Sequence, residues 1–205
     1  MAIVKTEILE LKGKWSEVLD ACRATVSKKF LGKEPSEDFK RKLMVCEHSP
    51  IRQLWVKWRW RNLPSYISTH FARHHIGFEK WISSQRNDRQ NKYDRREARQ
   101  DAPVTFVGEG NAQFLINMSK VRLCTSADPD TRKQAEDLKL TLNEVDSNIA
   151  WACVPSCVYR GSCSEPDTNC GFYKRFLDRH PEITVYTSIQ ERYDIYNKEF
   201  YEHYK

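Results

Sequence analysis

The chain of 205 residues has no apolar run long enough to cross a bilayer as a helix. It has no internal repeat and no low-complexity stretch. Only seven glycines and eight prolines punctuate it. These absences exclude collagen-like, solenoid and wholly disordered readings. There is no polybasic tail. The opening residues Met1 to Glu7 lack the charged-then-apolar order of a signal peptide, so the expected setting is cytoplasmic and away from membranes. What is present is a globular composition, 40% hydrophobic and 30% charged, enough for one domain or one domain with a small appendage. The net charge of +6 suits a phosphate-bearing partner but does not separate a polymer from a nucleotide. Cysteine is abundant: there are seven, and four crowd at positions 153, 157, 163 and 170. In a cytosolic chain that crowding favours metal or free thiols over disulfides.

Residues 3–11 alternate loosely and predict a strand. Residues 15–28 predict a helix with Trp15, Val18, Leu19, Cys22 and Val26 on one face. Ser36 caps a helix to about Val45. Residues 53–61 alternate cleanly, with Leu54, Val56, Trp58 and Trp60 on one face, and predict a half-buried antiparallel strand. Pro64 opens a helix through Phe71. Residues 86–101 are dense in charge and predict a loop. A helix over 111–122 buries Phe114, Leu115, Met118 and Val121, and another over 129–143, capped by Asp128 or Asp130, buries Ala135, Leu138 and Leu142. A cysteine-rich loop follows. In the aromatic tail, Tyr193, Tyr196, Phe200 and Tyr204 make a helical stripe that docks on the body or on a second subunit. The expected fold is α+β: a mixed β-sheet with packed helices over 1–150, and a Cys-rich segment with an aromatic tail over 151–205 packing on the same domain.

Four segments carry chemistry. Arg73-His74-His75, then Ser84-Gln85-Arg86, combines arginine forks, imidazoles and a hydroxyl suited to an anion; in isolation it reads as a surface basic patch. His48-Ser49-Pro50 stands before the long strand. Arg99 precedes a turn at Pro103. Asn111, Asn117 and Arg122 share the helix of 111–122, although five residues place Asn117 and Arg122 about 140° apart around its axis.

Together, in this order, these segments resemble the flavin-dependent thymidylate synthase family. That family carries Arg-His-Arg-x-x-Ser-x-Asn-x-x-Ser-x-Arg, here Arg73-His74-His75 and Ser84-Gln85-Arg86 with one extra residue between. It places His-x-Thr/Ser-Pro upstream, here His48-Ser49-Pro50 in nearly the same spacing. Downstream it has an Arg before a turn, Asn-Ala-Arg, and Asn-x-x-x-x-Arg, matched by Arg99, Asn111-Ala112-Gln113 and Asn117 to Arg122. The resemblance covers roughly residues 45–125. It departs at His75, at Phe78-Glu79-Lys80 and at Gln113, largely on the flavin side, while the nucleotide-binding arginines are all present.

The resemblance implies transfer of a one-carbon unit from methylenetetrahydrofolate to uracil C5 of dUMP, making dTMP, with FAD and NADPH. It implies that Ser84, Arg86 and Arg99, with Arg73, hold the phosphate. It gives Arg122 the catalytic role of stabilising negative charge on the ring. His48, Ser49, Arg73, His74, His75, Asn111 and Asn117 would line the flavin and folate. It also implies a homotetramer whose active sites lie between subunits. Rival readings are another one-carbon group on the pyrimidine, such as hydroxymethyl, and a non-catalytic nucleotide or nucleic-acid binder.

Two features read separately. Cys153, Cys157, Cys163 and Cys170 offer four thiols for a structural zinc; reduced thiols without metal, disulfides and an iron–sulfur centre stay open. Trp55, Trp58 and Trp60 alternate with Lys57, Arg59 and Arg61, a pattern that binds single strands. The same alternation buries Trp58 and Trp60, which argues against a nucleic-acid surface.

Overall fold

The computed structural model describes residues 4–91, 93–166 and 170–204; residue 3 of the expected first strand lies outside them. The elements run β1 (Glu7–Lys12), α1 (Trp15–Ala24), α2 (Glu37–Val45), β2 (Trp55–Pro64), α3 (Ser65–Ala72), β3 (Phe78–Ile82), α4 (Asn87–Gln90), β4 (Pro103–Asn111), α5 (Ala112–Arg122), α6 (Pro129–Val145), α7 (Ser147–Ala152), α8 (Ser156–Arg160), α9 (Phe172–Arg179) and α10 (Ile189–His203). A 3₁₀ turn, Ser49–Gln53, leads into β2. Among the described residues no helix is long and apolar enough to cross a membrane.

Four strands form one sheet in the order β1-β2-β4-β3. All three pairings are antiparallel, so the α+β architecture stands and the expected mixed sheet is corrected to an antiparallel one. An antiparallel sheet can leave one face to water, and this one does. Lys57, Arg59 and Arg61 stand on the open face of β2, and Arg59 pairs across to Glu7 of β1 at 2.6 Å. Val56, Trp58 and Trp60 face the helices and are fully buried. Burying side chains of this size contributes about 1.5–3 kcal/mol each. The Trp60 indole N–H donates to the Thr6 hydroxyl at 2.7 Å, which satisfies its one polar atom. Trp58 fits only because residue 108 is glycine: a Cβ there would stand 2.5 Å from the indole ring.

β3 and β4 were not anticipated. One proline and two glycines break the apolar pattern of β4, and β3 is only five residues long. β4 matches β2 across a long register from Trp55↔Asn111 to Pro64↔Pro103, with an irregularity between Trp60 and Leu63 where Asn62 takes φ +60°.

α5 is the central helix. Asn111 caps it by accepting from the Phe114 N–H at 2.9 Å. Phe114 stacks on Phe78 with ring centroids 4.1 Å apart, and both stack near Trp58. Ile116 is buried while Val121 is about half exposed. The helix is covered on more than one side, so a single expected stripe misplaced both residues. Asp128 caps α6, accepting from Thr131 N–H at 2.9 Å, with Pro129 at its first position.

Of the two partners the tail stripe left open, the body is the one it packs on here. α10 packs on α2, α7 and α8, and Tyr193, Tyr196 and Phe200 are buried. Tyr204 stays partly exposed, donating to Glu136 at 2.8 Å. Lys139 fastens this packing. Its Nζ donates to Ala150 O at 2.7 Å, Cys153 O at 2.8 Å and Asn197 Oδ1 at 2.6 Å. Burial pushes its pKa down to about 7. Three acceptors, however, take three N–H bonds, which only the ammonium has.

Candidate active site

The ends of α3 and α5 meet. Arg73 and His74 follow α3, and Arg122 is the last residue of α5. Arg122 Nε donates to His74 Nε2 at 3.1 Å, and an Arg122 terminal nitrogen donates to the His70 carbonyl at 2.6 Å. That carbonyl belongs to the last turn of α3, where helix acceptors lack partners of their own. His74 accepts at Nε2 and is therefore the neutral ring with its proton on Nδ1. Burial first, then the charges of Arg122, His75 and Lys80, push its pKa down to about 4. Among the described residues Arg122 has no carboxylate partner. Burial and then the nearby Arg73 lower its pKa. Arg73 is exposed, and its guanidinium makes no hydrogen bond or ion pair among the described residues. Two guanidiniums side by side with no acid between them form a place for an anion.

α3 is itself tied down. His70 Nδ1 lies 2.6 Å from the Thr131 hydroxyl, which donates to Asp128 at 2.9 Å, so His70 is the donor in its pair. This chain joins the α6 N-terminus to the carbonyl that grips Arg122. Lys80, one residue of the Phe78-Glu79-Lys80 departure, reaches His74 O at 2.9 Å and comes to 3.4 Å from His75 Nδ1. Sequence reasoning assigned it no role. Its signal was the alternation Phe78, Lys80, Ile82, which turns it toward the helix side of β3.

Other expected residues fare differently. Asn111 is buried and committed to capping α5. Its amide also lies against Gly77, where a Cβ would stand 2.6–2.7 Å from it and φ is +70°. Asn117 accepts from Gln113 at 3.4 Å, and Gln113 donates to Glu47 at 2.5 Å. Glu47 also pairs with Lys120. Asn117 and Arg122 therefore serve different neighbours, because α5 remains helical to Arg122 and keeps them on separate faces. His48 and Ser49 are exposed at the start of the 3₁₀ turn, next to Glu47. Glu47 stands in the segment Cys46 to Pro50 but carried no expected role; its backbone takes φ +50°.

Ser84, Arg86 and Arg99 do not join this cluster. Arg86 forks onto Asp88 at 2.9 and 3.0 Å, and Arg99 onto Asp101 at 3.0 and 3.3 Å. Gln100, beside Arg99, accepts from Ser65 and Tyr66 at the first turn of α3. Arg99 therefore stands at the opposite end of that helix from His74, about 12 Å along its axis. Ser83 pairs with Thr105 near the start of β4, so Ser84 and Arg86 share that end. A polar cleft of about 340 Å³ lies there, lined by Ser83, Ser84, Gln85, Arg89, Tyr93 and Thr105 among others. The Gln85 Nε2 is buried without a partner.

Cys153 caps α7, is buried, and lies by Lys139 and Ser119. It stands apart from Cys157, whose neighbouring thiols are Cys124 and Cys163. Among the described residues no group of three or more His, Cys, Asp or Glu is set at metal-ligand spacing.

No family model matches the chain, and no curated protein matches it. Among solved structures it is similar to a UMP/dUMP methylase, PolB from Streptomyces cacaoi, bound with 5-Br dUMP. The TM-score is 0.58 and the identity 12%, covering 73% of this chain and 94% of that one. At this identity the likeness is one of fold: an antiparallel four-stranded sheet with packed helices.

Proposed function

We propose that this protein modifies the C5 position of a pyrimidine nucleoside monophosphate, dUMP in the first instance, by flavin-dependent one-carbon transfer from a folate. The observation that carries this reading is the Arg122 guanidinium. It is oriented by a neutral histidine and a backbone carbonyl, flanked by Arg73, and left without an acid among the described residues, on a fold that a UMP/dUMP methylase shares. Such a group would meet negative charge developing on a uracil oxygen. His74 would keep it aimed without competing for the anion, since its pKa of about 4 keeps the ring uncharged.

The residues fit a flavin dinucleotide at its anionic end. Among the described residues the Arg73 guanidinium has no partner, and Lys80 and His75 bring further nitrogen donors nearby. Asn111 does not fit a cofactor role, because its amide is spent on α5 and Gly77. When bound, the flavin would carry reducing equivalents from NADPH, and methylenetetrahydrofolate would supply the carbon. Ser84, Arg86 and Arg99 would hold the nucleotide phosphate. Since they stand at the other end of α3 from Arg122, they would do so for a neighbouring copy, in a homotetramer with sites between subunits.

The test is the visible spectrum of purified protein reconstituted with FAD, before and after dUMP. A bound-flavin spectrum that shifts with dUMP supports the reading. No flavin retained under any nucleotide condition would sink it. Product mass then separates methyl from hydroxymethyl transfer.

A further inference from the structure

Polar side chains recur along one side of α3. Tyr66, His70 and Arg73 are four and three residues apart, a spacing that sets helical side chains next to one another. The first turn of α6 faces the first two of them. The Tyr66 hydroxyl donates to Asp130 at 2.8 Å, and His70 Nδ1 lies 2.6 Å from the Thr131 hydroxyl. Thr131 is fully buried. Its hydroxyl donates to Asp128 at 2.9 Å, and its backbone N–H donates to the same carboxylate oxygen at 2.9 Å. Asp128 is thus both the cap of α6 and the end of a chain of hydrogen bonds that starts at His70.

That chain fixes the imidazole tautomer. A carboxylate only accepts, so Thr131 gives its one hydroxyl proton to Asp128 and receives at oxygen from His70. The His70 proton is therefore on Nδ1, and Nε2 carries a lone pair. Burial first, and then the charge of Arg122, lower the His70 pKa, which keeps the ring neutral. Among the described residues Nε2 has no hydrogen-bond partner. Cations surround it. Arg122 grips the carbonyl of this same residue at 2.6 Å, and Arg73 stands one turn further along the helix. A fixed acceptor thus borders the place that Arg73 and Arg122 form for an anion. An acceptor there repels an anionic ligand unless the ligand brings a hydrogen to it, so the ligand that fits carries a donor beside its charge-bearing oxygen.

We propose that His70 is the residue that reads the base: its Nε2 accepts the N3–H of a uracil ring whose neighbouring oxygen faces Arg122. Uracil carries its N3–H between two carbonyl groups, so a hydrogen and an oxygen on adjacent ring positions match the acceptor and the guanidinium. Cytosine presents a lone pair at N3 and sets it against that of Nε2. The imidazole does not adapt by moving its proton, because a bare Nδ1 would draw the Thr131 hydroxyl proton away from Asp128. His70 is a specificity residue on this reading: it transfers no proton in the reaction. A tie that only joined α3 to α6 would be indifferent to the base. The inference rests on the proposed reading of the substrate as a uracil nucleotide, and not on the flavin or the folate.

The experiment is calorimetric titration of the full-length protein with dUMP and with dCMP, in the presence and absence of FAD. The unmutated protein should bind dUMP roughly 10–100-fold more tightly than dCMP, the difference between a matched and an unmatched hydrogen bond. His70→Ala should bring the two nucleotides to nearly equal affinity. Because that variant can loosen α3, nitrogen NMR of the unmutated protein provides a second readout. His70 Nε2 should be unprotonated in the free protein, and its resonance should move with dUMP and not with dCMP. The proposal is overturned by equal affinity for dUMP and dCMP, by discrimination that survives in folded His70→Ala, or by an Nε2 that carries a proton or ignores bound dUMP. The two readings fail separately. Discrimination through His70 with no flavin retained would sink the reaction and keep this inference. A flavin spectrum that shifts with dUMP while His70→Ala still rejects dCMP would do the reverse, and no dUMP binding at all would overturn both.

Discussion

The two ends of α3 hold their arginines in opposite ways. At the C-terminal end, Arg122 is half-buried, fixed on two of its nitrogens by its own chain, and paired with no acid among the described residues. At the N-terminal end, Arg99 is 84% exposed in its side chain, and Arg86 is also exposed; each leans on the aspartate two residues on. Water screens an exposed pair of this kind and leaves it contributing little, so these arginines can trade their aspartates for a phosphate at little cost. The first arrangement suits stabilisation of charge at a fixed point. The second suits capture of a group that arrives and leaves.

The largest effect should come from the fixed end. Arg122→Ala is expected to lower turnover by about 10²–10³-fold while the far-ultraviolet circular dichroism stays native. An unfolded variant would assign Arg122 to the core instead. Next, if the two ends belong to one site built across copies, co-assembly of Arg122→Ala chains with Arg99→Ala chains should recover turnover that neither has alone. Failure of well-folded mixed oligomers to recover any would place each end in a separate site.

Smaller effects test the open end. Arg86→Ala or Arg99→Ala should weaken dUMP binding by roughly 10–100-fold, the value of a charged hydrogen bond, and leave uridine binding unchanged by calorimetry. Equal losses for nucleotide and nucleoside would remove the phosphate assignment.

The smallest effect is in pH. His74 has a folded-state pKa of about 4, below its ordinary value. Between about pH 6.5 and 4 the unfolded chain takes a proton that the folded chain refuses, so acidification costs stability through that window. His74→Asn keeps an acceptor and should flatten part of that slope in thermal melts. Nucleotide affinity should not follow an imidazole titration near neutrality; a midpoint of His74 at pH 6–7 by NMR would contradict the geometry.

Much of this was legible in the chain. The alternation from Leu54 to Trp60 located β2 and its buried face, Ser36 and Asp128 marked their helix starts, and the tail stripe predicted α10. Local chemistry is written in local sequence, so caps and periods can be read directly. β3 was hidden because five residues hold too short a pattern, and β4 because Gly108 and Gly110 interrupt its period to make room for Trp58 and Phe114. α8 and α9 were hidden inside what reads as a cysteine loop.

The site divides along the same line. Which residue types are available can be read along the chain: the guanidiniums, the His-His pair, the hydroxyls and the thiols, in their order. Their company comes from the packing of distant segments. It joined Arg122 to His74 across 48 residues, spent Asn111 on a helix cap, put Ser84, Arg86 and Arg99 at the far end of α3, and buried Cys153 beside Lys139. The physical reason is that a residue's role depends on its unpaired atoms. Which atoms remain unpaired is settled by contacts between distant segments, and these the order of residues does not express.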